Sequence, residues 1–260
     1  MLLESEGYLE VETPILNSLA GGALARPFKT KANELDIDLE LRIAPELYLK
    51  YLIIGGFEKV YEIGKVFRNE GIDTLHNPEF TTLEFYQAYA DYTDMMEITE
   101  NLIRRIVVNL FGSTQVAIPK QEIKSSKDYS SMTQDILEID FEKEFWAYDV
   151  MTEVNNYIGQ TIELDDPKLR FKLEGILSEA FPQKFQEQMN EKQLMDKLIE
   201  GIIEPKWIQP SYIVNHPWFM SPLAKMHQNR PNLSQRFELF IDGTEIANAY
   251  TEQNDYEVQK

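Results

Sequence analysis

"KVYEIGKVFRNEGIDTLHNPEFTTLEFYQAYA", residues 59–90, decides how the chain is read. Two runs rich in β-branched and aromatic residues, "KVYEIGKVFRNE" and "FTTLEFYQAYA", flank a turn that carries an arginine, acids, a histidine and an asparagine. The pattern predicts two antiparallel strands joined by an over-polar turn. Residues two apart in a strand point the same way, so Arg68 and Glu70 share a face, as do Thr82, Glu84 and Tyr86. Their apolar alternates Phe67, Leu83 and Phe85 should face the core. A polar strand face is commonly just the solvated side of a sheet. This one mixes a guanidinium, carboxylates, a tyrosine and an asparagine without lysine or serine filler. That mixture points to the binding of a zwitterion or a nucleotide.

Outward from the hairpin, "MLLESEGYLEVE" reads as a helix tail stopped at Gly7 and followed by a strand that enters Thr13-Pro14. The alternating "LDIDLELRI" puts Leu35, Ile37, Leu39, Leu41 and Ile43 on one face. "PELYLKYLII" is a helix with Pro45 in its first turn and Gly55-Gly56 at its end. Residues 91–112 have helical spacing through Met95, Ile98, Leu102, Ile106 and Leu110, with a stop at Gly112. The polar loop "KSSKDYSSMTQ" then leads to a short strand at about 136–141 and three helices. From 201 strand chemistry returns in "QPSYIVNH" and in "QRFELFIDGTEIANAYTE", a hairpin turning at Asp242-Gly243. The sum is an α+β architecture built on an antiparallel sheet with flanking helices. Strand–helix alternation, a glycine-rich phosphate loop and internal repeats are all missing from the pattern.

Composition narrows the function. The chain has 260 residues, 43% of them hydrophobic, and 25 basic against 44 acidic residues give a net charge of −19. Such an acidic balance argues against the chain as a whole wrapping nucleic acid, although a local basic patch could still touch RNA. With no cysteine, a disulfide scaffold, a thiolate zinc site and a thiol nucleophile are excluded. No apolar run reaches the length of a membrane span, and no signal peptide is evident. His76, in the turn, could pair with a polyphosphate, whereas His216 and His227 read as structural or surface residues. In the last hairpin Asn248, Tyr250 and Glu252 share a face, and Glu238 and Glu245 offer hard oxygen ligands suited to Mg²⁺.

"FRNEGIDTLHNPEFTTLEFYQAYADY" closely resembles motif 2 of class II lysyl-tRNA synthetases. The likeness continues through "GYLEVETP", "GGALARPF", "LRIAPELYLKYLIIGGFEKVYEIGKVFRNEG", "EPKWIQPSYIVNHPWFMSPLAK" and "RFELFIDGTEIANAYTEQND". It is weaker in 113–200. Related aspartyl and asparaginyl enzymes share the fold, but HNPEFT followed by E-x-Y and the final N-x-Y-T-E are the lysine-type form.

The resemblance implies a six- or seven-stranded antiparallel class II sheet that activates lysine with ATP and Mg²⁺ and passes the lysyl group to tRNA(Lys). Residues 1–112 would be catalytic core, with the end of motif 1 and motif 2. Residues 113–200 would be a mainly helical insertion, and 201–260 the core resumed, ending before motif 3. By the resemblance, Arg68 bridges the lysine carboxylate and the ATP α-phosphate, and Asn248 also holds the carboxylate. Glu46 and the Gly22 backbone take the α-amino group. Glu84, Tyr86 and Glu252 form the ε-ammonium pocket. Phe80 stacks on adenine, Glu70 and Asn77 lie near the base, His76 near the outer phosphates, and Glu238 and Glu245 hold Mg²⁺.

Simple alternation puts Glu245 opposite Asn248, whereas the resemblance uses both in one site, so a bulge or irregularity is expected near Ile246-Ala247. Against the family pattern, the expectation is a catalytic region given without the anticodon-binding domain and without the upstream part of the motif 1 helix, with a homodimer expected of the full-length protein. The expectation is an incomplete catalytic domain of an ATP-dependent lysine–tRNA ligase, cytoplasmic or of the mitochondrial matrix. The alternatives are a truncated non-catalytic paralogue that binds lysine, adenylate or a partner, and a synthetase-like enzyme that lysylates a protein.

Overall fold

The computed structural model describes residues 2–19, 21–23, 25–73, 76–119, 136–203 and 207–259. The "KSSKDYSSMTQ" loop lies outside the described residues. The chain forms two compact units, Met1–Tyr89 and Ala90–Lys260.

In the first unit a short helix, α1 (Leu2–Ser5), leads to strand β1 (Leu9–Glu10). Strands β2 (Leu16–Asn17), β3 (Lys29–Ala32) and β4 (Ile37–Leu41) form a sheet in the order β2-β4-β3. Helix α2 (Glu46–Ile54) follows, starting after Pro45 and ending at Gly55 as its sequence predicts. The decisive hairpin is β5 (Lys59–Phe67) and β6 (Glu79–Gln87), nine residues each, in unbroken antiparallel register from Lys59↔Gln87 to Phe67↔Glu79. β1 adds to β5 in parallel. Helix α2 packs against both strands of the hairpin.

Three details of this unit depart from the sequence reading. Leu35 lies in the turn before β4 and is exposed, as is Ile37; only Ile43 of that alternating set is fully buried. Arg68 and Glu70 lie beyond the end of β5, where the Glu70 amide already bonds back to the Arg68 carbonyl at 2.9 Å. Strand alternation therefore does not govern them. Most consequentially, Leu83 is exposed together with its cross-strand partner Ile63, whereas Glu62, opposite Glu84, is buried. The hairpin's polar-bearing face is the inward one, because α2 and Arg42 supply the charges that make its burial affordable.

The second unit opens on helix α3 (Tyr92–Phe111), capped by a reciprocal Asp91–Asp94 box and stopped at Gly112. Its buried residues are Met95, Thr99 and Val107, while Ile106 and Leu110 are exposed, so the buried stripe is rotated from the predicted one. Strands β7 (Gln115–Pro119) and β8 (Ile136–Asp140) pair with each other. Then come β9 (Trp146–Asp149) and helices α4 (Val150–Ile158), α5 (Leu169–Ala180) and α6 (Glu191–Ile203). β10 (Ser211–Val214), β11 (Arg236–Ile241), β12 (Thr244–Tyr250) and a final turn of helix, α7 (Tyr256–Gln259), complete the order. The sheet order is β12-β11-β10-β9, with β9 parallel to β10. Val154, Leu173, Leu198, Ile213 and Phe240 belong to one core cluster, so the three helices pack onto this sheet.

The architecture is α+β. Among the described residues the widest sheet has four strands, fewer than the six or seven that the resemblance implies, and β1–β5 and β9–β10 are parallel pairs. No helix among the described residues is long and apolar enough to cross a membrane.

Candidate active site

In the first unit, the inward face of the β5–β6 hairpin collects three carboxylates: Glu84 on β6, Glu62 directly across from it on β5, and Glu46 at the start of α2. Two of them carry an internal cation. Arg42 places a terminal nitrogen 2.6 Å from Glu62 Oε1, with both side chains almost wholly buried. Its Nε donates to the Lys65 carbonyl at 2.7 Å, and the same terminal nitrogen donates to the Thr13 carbonyl and hydroxyl. The Thr13 hydroxyl in turn donates to Glu62 Oε2 at 2.6 Å. This web needs Gly64: a Cβ there would lie 2.3 Å from the Arg42 guanidinium and 3.0 Å from Glu62 Oε1. Glu46, also buried, has Lys50 Nζ 2.6 Å away, one helical turn on.

Glu84 lacks such a fixed cation. Its carboxyl is pushed up to about 7, first by burial and then by the negative charge of Glu46, with Glu62 adding to the effect; the Tyr86 hydroxyl and Arg68 pull the other way. Tyr86 Oη donates to Glu84 Oε2 across a long 3.4 Å. A half-buried carboxyl that ionises reluctantly beside other carboxylates favours the arrival of an ammonium ion.

Gly22 and Glu46 are in close contact: a Cβ on Gly22 would meet Glu46 Cβ at 2.8 Å, and its φ of +86° suits glycine. The Gly22 backbone is thus brought beside the Glu46 carboxylate stem. Arg68 lies over the Phe80 ring, Cζ to centroid 5.2 Å, and its amide donates to the Pro78 carbonyl at 2.8 Å. A guanidinium and an aromatic plane are therefore held together at the base of the turn. Glu70, His76 and Asn77 lie in the exposed turn itself. Asn77 Nδ2 donates to the Glu79 carbonyl, and His76 Nδ1 sits 2.8 Å from Asp73.

The second unit carries the remaining candidates. The β11–β12 register shifts between Leu239 and Phe240, so Glu238 faces Asn248 while Phe240 faces Glu245. The extra residue in β12 is Ile246, where an irregularity was expected. It puts Glu245 and Asn248 opposite alternate residues of β11, hence on one side of the hairpin. Arg236 pairs with Glu238 and also donates to Asn248 Oδ1 at 3.2 Å and Ser221 Oγ at 2.8 Å. Burial pushes the Glu238 carboxyl up, but His216 and Arg236 override this and hold it well below the usual carboxylate range. His216 is wholly buried with Nε2 3.4 Å from Glu238; burial pushes its imidazole down, and the Glu238 carboxylate opposes that shift. Its burial removes the surface alternative of the sequence reading. His227 reaches Asn215 Oδ1 at 2.8 Å and packs edge-on against Tyr92. Glu252 forms a backbone bridge with Ala224.

Among the described residues no group of three or more His, Asp or Glu side chains is gathered as for a metal ion. Glu245 is exposed and shares its side of the hairpin with Glu238. Two such acids fit a hard divalent cation that keeps phosphate oxygens and water as its other ligands.

Sequence reasoning missed Arg42, Glu62, Lys50 and Arg236. The signal for Glu62 was available: a glutamate on the strand face shared with Val60 and Val66, in register with Glu84. Arg42, between Leu41 and Ile43, could have been paired with it by charge alone.

These features define a carboxylate-lined site next to a motif 2 hairpin. The chain matches the family described as tRNA synthetases class II (D, K and N) over residues 1–260, and it belongs to that family. It is 46% identical over 254 residues to a probable cytoplasmic lysine–tRNA ligase of Encephalitozoon cuniculi, covering 97% of this chain and 48% of that protein. It is likewise 46% identical to lysine–tRNA ligases of Thermotoga maritima, covering 97% of this chain and 46% of the relative, and of Clostridium tetani, covering 99% and 48%. The chain thus spans about half the length of the curated relatives it matches.

Proposed function

We propose that the chain is the catalytic region of a lysine–tRNA ligase, acting in the cytoplasm, with residues 113–200 as an insertion in its core. The observation that carries this reading is Glu84: a half-buried carboxyl, raised to about 7, next to two further carboxylates and a tyrosine hydroxyl. Such a group selects a long-stemmed ammonium over an uncharged side chain, because an uncharged guest leaves the carboxylate buried without a partner.

Glu84 and Tyr86 bind the lysine ε-ammonium, a role that the family resemblance also gives to Glu252. Glu46 and the Gly22 backbone hold the α-ammonium and Arg68 the carboxylate, a role that the family resemblance also gives to Asn248. Phe80, already against the Arg68 guanidinium, offers its ring to adenine, with Glu70 and Asn77 by the base and His76 at the outer phosphates. A lysine carboxylate oxygen attacks the α-phosphorus of ATP; the bond to the bridging oxygen breaks and pyrophosphate leaves. Arg68 stabilises the negative charge that builds on the α-phosphoryl oxygens. A terminal ribose hydroxyl of tRNA(Lys) then attacks the carbonyl carbon of the adenylate, and AMP departs. No protein nucleophile is needed, since positioning and charge stabilisation carry both steps. Glu238 and Glu245 would hold Mg²⁺, which when bound neutralises the polyphosphate.

The test is lysine-dependent exchange of pyrophosphate into ATP by this chain and by a version extended at both ends. Exchange with lysine, and not with norleucine, supports the assignment, in the extended version alone or in both. Exchange in neither overturns it.

A further inference from the structure

In the second unit one guanidinium is bonded to both partners of a cross-strand pair. Arg236 and Glu238 lie two apart on β11 and so project from the same face, and Asn248 of β12 stands directly opposite Glu238. Every nitrogen of the Arg236 head has its own acceptor. Nη2 pairs with Glu238 Oε1, Nη1 donates to Ser221 Oγ at 2.8 Å, and Nε donates to Asn248 Oδ1 at 3.2 Å. The Arg236 and Glu238 side chains are each 14% exposed and Ser221 is buried, so the head is fixed in place. A guanidinium can only donate. Its neighbour on Asn248 must therefore be the carbonyl oxygen, and the amide flip of Asn248 is set by chemistry. Nδ2 is then turned away from Arg236. Asn248 is exposed, and among the described residues no group accepts from Nδ2.

We propose that Arg236 is a positioning residue: it fixes the Asn248 amide with its oxygen inward, so that the Nδ2 hydrogens are presented to the carboxylate of the incoming amino acid. The inference rests on the lysine reading given above, in which Asn248 holds that carboxylate. An amide free to flip would offer its oxygen as readily as its nitrogen, and an oxygen facing a carboxylate is repelled. The Arg236 charge is itself matched by Glu238, so at this point the carboxylate meets a neutral, oriented donor rather than a further cation. Lysine in place of Arg236 could keep Glu238 compensated. One ammonium on a flexible stem has no planar fork, however, and cannot reach Asn248, Ser221 and Glu238 along three fixed directions.

The experiment titrates L-lysine and 1,5-diaminopentane, the same molecule without its carboxylate, by calorimetry. It uses this chain and the version extended at both ends, as wild type, Arg236→Lys, Asn248→Ala, Asn248→Asp and the double variant Arg236→Lys with Asn248→Ala. Each is checked for folding by circular dichroism. Arg236→Lys should weaken lysine about tenfold, the loss expected when a carboxylate forfeits one aligned hydrogen bond, and change diaminopentane less than about twofold. Asn248→Ala should do the same, and the double variant should lose no more than Asn248→Ala alone. Asn248→Asp keeps a bond to Arg236 but turns a carboxylate oxygen outward, so lysine should weaken further than with alanine. If Arg236 only supports the fold, both ligands weaken together or neither changes, and the proposal is overturned. Losses that add in the double variant overturn it as well. Should Arg236→Lys not fold, Asn248→Asp decides: lysine binding as tight as in Asn248→Ala rejects the oriented amide. If wild type binds no lysine in either version, the lysine reading fails and this inference with it. Intact wild-type binding with an unmoved ratio of the two ligands in Arg236→Lys rejects the inference alone.

Discussion

Glu62 and Glu84 face each other across the β5–β6 hairpin, and only Glu62 is locked to a guanidinium, that of Arg42 at 2.6 Å. The asymmetry gives two paired carboxylates different tasks: one is structural, and the other is left to receive a cation. Glu84→Gln should therefore weaken lysine binding by about 100-fold or more, the loss expected when an ammonium forfeits a desolvated carboxylate. ATP binding to the same variant should change less than threefold. Equal losses for lysine and ATP in paired titrations would contradict the ε-ammonium role.

The raised Glu84 carboxyl makes two pH effects of opposite sign. In the free chain its folded value, about 7, lies above its ordinary value, so between those two pH values the folded state binds more protons than the unfolded. Stability therefore falls as pH rises through that window, by about 3 kcal/mol from this group. Lysine binding runs the other way, since the ammonium prefers the ionised carboxyl: affinity should rise about tenfold per pH unit up to about 7 and level off above. Calorimetry in buffers of different ionisation enthalpy at pH 6 should show close to one proton released per lysine bound. Glu84→Gln should abolish both trends.

Gly64→Ala places a methyl group 2.3 Å from a guanidinium that four interactions hold in place. The Arg42–Glu62 pair must open, and the expected cost is about 3 kcal/mol by denaturant unfolding. A loss under 0.5 kcal/mol would mean that Arg42 yields freely and the web is not rigid.

Arg42→Met strands Glu62 in a buried position and should cost about 3–5 kcal/mol, whereas Arg42→Met with Glu62→Met should recover most of it. The double variant also removes one of the negative charges that raise the Glu84 carboxyl. The pH at which lysine affinity levels off should accordingly move below that of wild type. An unchanged midpoint would show that burial and Glu46 alone set it.

Gly22→Ala should weaken lysine binding as well as stability. Its φ of +86° disfavours a side chain, and the new methyl would press on Glu46 Cβ, which is anchored in α2 and cannot swing aside. About 1–2 kcal/mol of stability should be lost, and thermal melting with and without lysine separates that loss from the loss in affinity.

Much of this protein was legible in its residues. Period-two runs around a polar turn specified the β5–β6 hairpin, Pro45 and Gly55 bracketed α2, and Asp242-Gly243 marked the last turn, because each of these signals is local. Family membership was legible too, through long motifs whose residue order is itself the information. Even the Ile246 bulge could be inferred, since Glu245 and Asn248 could not otherwise share a side.

What no local signal carries is which face of a strand is buried. Ile63 and Leu83 look like core and are exposed, while Glu62 and Arg42 look like surface and are almost wholly enclosed. Alternation separates the two faces of a strand but leaves them unlabelled, and the label comes from what packs on top. Here α2 brings Glu46 and Lys50 over the hairpin, and Arg42 comes in from the segment after β4. Burial of the charged face is favourable only when those cations and carboxylates meet, and that meeting exists only in the tertiary structure.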